Sequence, residues 1–223
     1  MSLNALLAFI TSLTILLPAF VGLVRFHRID KSYQPFIIYL LVGLATEIVG
    51  FIWINTFHSN TAVLYNFFIV AEWLLIMWQF YSWGFFSRHK TWFYLLVTAV
   101  LLIWIWEHIV SNKLQFYNPY FRVIASFLII LISINIINYT ITHDYKNIFL
   151  NARFLICIGL IIFFLYKILY EWAYQVSSIK GHDTFSNLII SGFSKVNAFV
   201  NVFFILPVLL IPKRDSFVEK PVL

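Results

Sequence analysis

The chain has 223 residues; 62% are hydrophobic, 11% are charged, and the mean hydropathy is +0.89. A water-soluble domain carries roughly 25% charged residues, and a chain of this length leaves too much surface outside its core to hide so much apolar area from water. Lipid is therefore the expected solvent for most of the chain, which excludes soluble enzymes, nucleic-acid-binding modules and disordered tails. The net charge of +6 fits basic residues gathered in cytoplasmic loops, not an affinity for nucleic acid.

A membrane span needs about 20 predominantly apolar residues. Runs of that kind lie at 4–24, 35–57, 62–84, 91–110, 119–140, 151–174 and 185–211. The predicted fold is all-α: a polytopic bundle of seven transmembrane helices forming one domain over 1–211, with a short cytoplasmic tail over 212–223. No internal repeat or low-complexity tract interrupts it.

The first run has no basic residue ahead of it, and its positive cluster (Arg25, Arg28, Lys31) follows it. That order predicts a retained first helix with its N-terminus outside, kinked or loosened by Pro18. Lysine and arginine in alternate loops agree. Arg25, Arg28, Lys31, Arg88, Lys90, Lys146, Lys213, Arg214 and Lys220 fall on one side, against Lys113 and Lys180 on the other. The basic side is expected to be cytoplasmic, placing the C-terminus inside. Trp53, Trp83, Trp92, Trp104, Trp106 and Trp172 fall near the ends of runs, where an interfacial aromatic belt is expected.

Ionisable residues inside the spans cost at least ~2.5–3.5 kcal/mol each and need a partner or a polar cavity. Glu47 in the second run, Glu72 in the third and Lys195 in the seventh fall near mid-bilayer. Glu107, Arg122, Lys167 and Glu171 fall nearer the outer surface. Gly43, Thr46, Glu47 and Gly50 share one helical face, as do Tyr65, Glu72 and Gln79 in the third run. In the seventh, Asn187, Ser191, Ser194, Lys195, Ala198 and Asn201 form a stripe. Small and polar residues mark helix–helix contacts in lipid, so these three helices are expected to converge. Glu47, Glu72, Lys195, Asn187 and Ser191 then form an intramembrane polar site, with one carboxylate more than the lysine can match. Lys167 and Glu171, four residues apart, suit a local ion pair. Glu107 and Arg122 suit either snorkelling to headgroups or an outward-facing ligand cluster with Lys167 and Glu171.

Catalytic signatures are missing. There is no HExxH, no GxSxG, no paired-aspartate motif and no glycine-rich phosphate loop. The only acid followed directly by a histidine is Glu107–His108. The single cysteine, Cys157, excludes an internal disulfide and an all-cysteine metal site, and its apolar neighbours suit a small buried hydrophobe. No enzyme activity, metal or cofactor is therefore expected.

Two resemblances accompany this reading. The stretches YNFFIVAEWLL, FRVIASFLIILIS and NARFLICIGLIIFFLY resemble a group of small, uncharacterised bacterial seven-helix membrane proteins, which implies architecture and a bacterial inner-membrane location only. Glu72-Trp73 and Ser194-Lys195-Val196 resemble the counterion pair and the retinal-bearing lysine of microbial rhodopsins, which would imply a retinal imine on Lys195 with Glu72 as counterion. The chain departs from that pattern with Ser191 where an aspartate stands, Ile69 where an arginine stands, and no proline near Phe163 and Tyr166. The functions expected, in order, are a sensor, receptor or membrane-complex subunit acting through a protein partner, a proton or small-solute transporter or channel, and a retinal protein.

Overall fold

The computed structural model describes residues 11–57, 60–143, 148–180 and 184–213. Residues 4–10 of the first expected span, Lys146 and the tail beyond 213 lie outside them. Six helices among the described residues are long and apolar enough to cross a membrane. In chain order the elements are α1 (Leu13–Arg25, opening with a 3-10 turn), α2 (Gln34–Phe57), α3 (Ala62–Ser82), α4 (Lys90–Ile105), α5 (Pro119–His143), α6 (Ala152–Lys180), α7 (Thr184–Phe203) and α8 (Ile205–Leu210). A π-helical turn, Trp106–Val110, extends α4. The described part of the first run is too short to count among the six.

Two prolines set the helix breaks. Pro18 lacks the N–H that would bond the Thr14 carbonyl, and the change from the 3-10 turn Leu13–Ile15 to the α-helix Leu16–Arg25 falls there. Pro207 deprives the Phe203 carbonyl in the same way, and the last of the six long helices, Thr184–Leu210, divides at Phe204 into α7 and α8.

Lipid-embedded helices gain little by hiding apolar side chains from lipid, so close approach and polar contacts hold them together. The most extensive packing is α5 on α6, followed by α6 on α7 and α2 on α3. Gly43 lets α1 settle on α2, since a Cβ there would come within 2.8 Å of the Ile15 side chain. Around α2, α3 and α8 the core is largely aromatic: Phe36, Trp73, Phe80 and Phe204 are buried, with Met77 among them. The Phe36 and Phe204 rings meet edge to face at 5.1 Å.

The two ends of the bundle differ. One carries the loop 111–118. The other carries the basic segments, and hydrogen bonds there lock the chain. Arg25 donates to the carbonyls of Val208 and Ile211 at the end of α8, where unpaired carbonyls and the helix dipole favour a cation. Gln79 accepts from the Phe36 amide at 2.8 Å, and its own amide donates to the Ser32 carbonyl. An isolated backbone bridge joins Ile29 to Lys213. Trp83 and Trp104 depart from the expected aromatic belt, being packed inside, while Trp53, Trp92, Trp106 and Trp172 are exposed as expected.

Candidate functional site

Charged side chains from α3, α5 and α6 meet inside the bundle. Glu72 on α3 pairs with Lys167 on α6. Arg122 on α5 pairs with Glu171 on α6 at 3.2 Å. All four are at most 8% exposed. The local Lys167–Glu171 pair expected from their spacing does not form. Both side chains leave α6 on the face turned to α3 and α5, where Glu72 and Arg122 are also buried. A local pair would leave each of those charges uncompensated, and an unpaired buried charge is far costlier than a crossed pair.

Arg122 and Glu107 reach no headgroup: both are buried. Both Glu107 oxygens accept backbone hydrogen bonds, from Tyr120 at 3.0 Å and Phe121 at 2.9 Å. Those amides belong to the first turn of α5, which opens at Pro119. Glu107 is thus an N-terminal anchor for α5, satisfying amides that the helix itself leaves unbonded and sitting at the positive end of its dipole. Asn66 on α3 extends the network. Its side-chain oxygen accepts from Arg122 at 2.9 Å, and its amide donates to the Leu114 and Phe116 carbonyls. Its backbone carbonyl accepts from the Trp104 indole at 3.0 Å. His108 stacks on Trp104 with centroids 5.2 Å apart.

A cavity of about 330 Å³ borders this network at Glu171 alone of its charged residues, and two others enter it. The larger of these two, of about 290 Å³, is lined by Glu47, Arg122, Lys167 and Glu171 together with Tyr65, Tyr117, Tyr170, Tyr174 and Phe193. The smaller, of about 130 Å³, shares Glu47, Tyr65, Arg122, Lys167 and Phe193 and runs on past Glu72 to Asn197, Asn201 and Phe204. Glu47 is half-buried, with the hydroxyls of Tyr65 and Ser12 hydrogen-bonded to it. Among the described residues no cationic side chain lies within ion-pairing distance of it. Three carboxylates therefore face two cations. Glu72 Oε1 and Arg122 Nε are buried without a hydrogen-bond partner, so the network retains unspent polar capacity.

Lys195 does not join Glu47 and Glu72. It is exposed on α7, as are Asn187 and Ser191, and none of the three lines either cavity. The stripe read from sequence is too wide to be one face. At 100° per residue Lys195 and Asn201 lie about 120° apart. The Asn201 edge turns inward, donating to the Thr14 hydroxyl at 3.2 Å, and the Lys195 edge turns outward among Leu188, Phe199 and Val202. Of the expected site residues, Glu47, Glu72, Arg122, Lys167 and Glu171 come together. Glu107 supports them from behind, and Asn187, Ser191 and Lys195 lie elsewhere.

Sequence reasoning had missed Asn66, Asn197 and the tyrosines Tyr117, Tyr170 and Tyr174. A signal existed for two of these: Phe163, Lys167, Tyr170, Glu171 and Tyr174 recur at helical spacing on one face of α6. Among the described residues no three His, Cys, Asp or Glu side chains gather as a metal site. No protein-family model, curated protein or solved structure matches this chain.

Proposed function

We propose that the protein is a sensor or receptor subunit of the bacterial inner membrane that binds a small zwitterionic molecule in the larger cavity. The observation that carries this reading is a cavity lined by two cations and by a carboxylate, Glu47, that pairs with neither. Arg122, paired with Glu171, and Lys167, paired with Glu72, line it together with Glu47, which has no cation within ion-pairing distance among the described residues. An anionic ligand group would compete for the two cations, and an ammonium group would go to Glu47, with the tyrosine faces able to bind it as well. A volume of about 290 Å³ suits a molecule at the small end of the usual range. Binding would redistribute the ion pairs that join α3, α5 and α6, which is how occupancy would reach the rest of the bundle.

Transport is the weaker reading. Phe204, which lines the smaller cavity, packs on Phe36 in the apolar core. The larger cavity lies toward the loop 111–118, which supplies Tyr117 to its lining. A retinal imine on Lys195 is weaker still, because Glu72 pairs with Lys167 and Lys195 faces outward. The reading is non-enzymatic, and Cys157, the one cysteine, is fully buried in the apolar core.

Output would pass to a partner through the outward face of α7. Lys195 lies 11 residues beyond Thr184 in a span that ends at Leu210, about 16 Å along the helix at 1.5 Å per residue. A carboxylate on a neighbouring membrane helix would neutralise it.

The test is thermal unfolding of the detergent-purified protein against free amino acids and glycine betaine. The reading expects at least one probe to raise Tm, and Glu47→Gln and Arg122→Gln each to abolish the rise. A panel without effect, or an effect that survives both substitutions, would refute it. Glu47-dependent uptake of the same probe into proteoliposomes would favour transport instead.

A further inference from the structure

Another cavity, of about 440 Å³, opens at the basic end of the bundle, remote from the ionic network. Its polar lining comes from Ser87, Asn135, Thr140 and Arg153, and its apolar lining includes Trp83 and Phe85. Arg153 is the second residue of α6 and is half-buried. Its guanidinium lies 6.0 and 5.9 Å from the ring centroids of Tyr33 and Trp83. Those rings hold the planar group in place, and the Tyr33 hydroxyl accepts one of its hydrogen bonds, but neither ring supplies a counter-charge. Among the described residues no carboxylate lies within ion-pairing distance of Arg153, and none lines the cavity.

This composition selects an anion. A half-buried guanidinium without a carboxylate presents a fork of N–H donors suited to two oxygens of one phosphate. Exposed Arg88 and Lys90 lie close in sequence to Ser87 and add positive potential. Gly84 closes α3 at φ 81°, and a Cβ built on it would meet nothing within 4 Å, so the backbone beside Ser87 stands clear. Phe85, 39% exposed, gives the same cavity an apolar flank. The Arg153 guanidinium beside exposed aromatic surface, at the end of membrane-spanning helices, matches a lipid whose phosphate is held and whose acyl chains run along the bundle.

We infer that this cavity binds a phosphate-bearing anionic headgroup, with the phosphate on the Arg153 guanidinium. The inference is independent of the zwitterion site.

The experiment is native mass spectrometry and thermal unfolding of the full chain supplied with phosphatidylglycerol, with phosphatidylcholine, or with inorganic phosphate alone. Phosphatidylglycerol should be retained at least fivefold over phosphatidylcholine and should raise Tm. Arg153→Lys keeps the charge but loses the fork and should weaken the preference, and Arg153→Gln should remove it. Ser87→Trp fills the cavity without touching Arg153, so loss of preference there stands even if Arg153→Gln folds poorly. Stabilisation by inorganic phosphate, lost in Ser87→Trp and with no lipid preference, would support the phosphate site and identify a free anion as its source. Equal retention of both lipids with no phosphate effect would overturn the inference, as would a preference that survives Ser87→Trp.

Discussion

At the residue scale, the chain's internal charges are an exchange of partners between helices. Glu72–Lys167 and Arg122–Glu171 tie α6 to α3 and to α5, and Asn66 closes the circuit through Arg122. Removing one member of such a pair strands the other in a low-dielectric interior, at about 3–5 kcal/mol. Removing both members costs far less, because no charge is left over. Lys167→Met and Glu72→Gln should therefore each lower unfolding stability in mixed micelles by about 3 kcal/mol or more, while the double variant restores much of the loss. A double-mutant cycle should return a coupling of at least ~1 kcal/mol, and a coupling near zero would mean that the two side chains do not meet. The same cycle on Lys167 and Glu171 should give a smaller value, since the local pair is not the one formed. Neighbours along the sequence could not have revealed this choice. Spacing identifies the partner within a helix, whereas the partner across helices depends on how three helices rotate about their axes.

At the element scale, the faces of α2 and α3 were legible and that of α7 was not. Gly43, Thr46 and Gly50 are buried with Glu47 beside them, as the small-and-polar stripe implies. Glu72 and Gln79 turn inward with Tyr65 lining the cavities, following their seven-residue recurrence. On α7 the polar residues wrap around more than one face, so a list of them could not say which edge the neighbours cover. The position of α6 and the start of α1 decides it, by claiming Asn197 and Asn201. Lys195 is left on the outer surface, where a charge at mid-span costs about 2.5–3.5 kcal/mol on insertion scales. Lys195→Leu should consequently raise the inserted fraction and the thermal stability of the isolated protein, read by glycosylation-mapped insertion and by unfolding in bicelles. It should leave any Tm rise caused by a zwitterionic probe unchanged, since Lys195 lines neither cavity of the ionic network. A neutral or destabilising result would mean that Lys195 already has a favourable place within the chain.

At the scale of the whole molecule, the helical class and the six helices long and apolar enough to cross a membrane follow from composition and run length, in a chain that is 62% hydrophobic. The asymmetry of the ends also follows from simple chemistry. Arg25, Arg28, Arg88 and Lys90 lie in or beside the segments at one end, and the loop 111–118 occupies the other. Positive segments resist translocation, so the basic end should face the cytoplasm and the larger ionic cavity should open outward. Single-cysteine labelling in a Cys157→Ser background can test this. Arg88 and Gln115 are both exposed and sit at opposite ends. In intact cells a membrane-impermeant maleimide should label Gln115→Cys, and should label Arg88→Cys only after lysis. The opposite pattern would reverse the bundle. The zwitterion cavity would then sample cytoplasmic solutes, and the Arg153 cavity would meet the outer leaflet. The sidedness of both sites thus rests on one charge asymmetry, and a single pair of labelling reactions decides it.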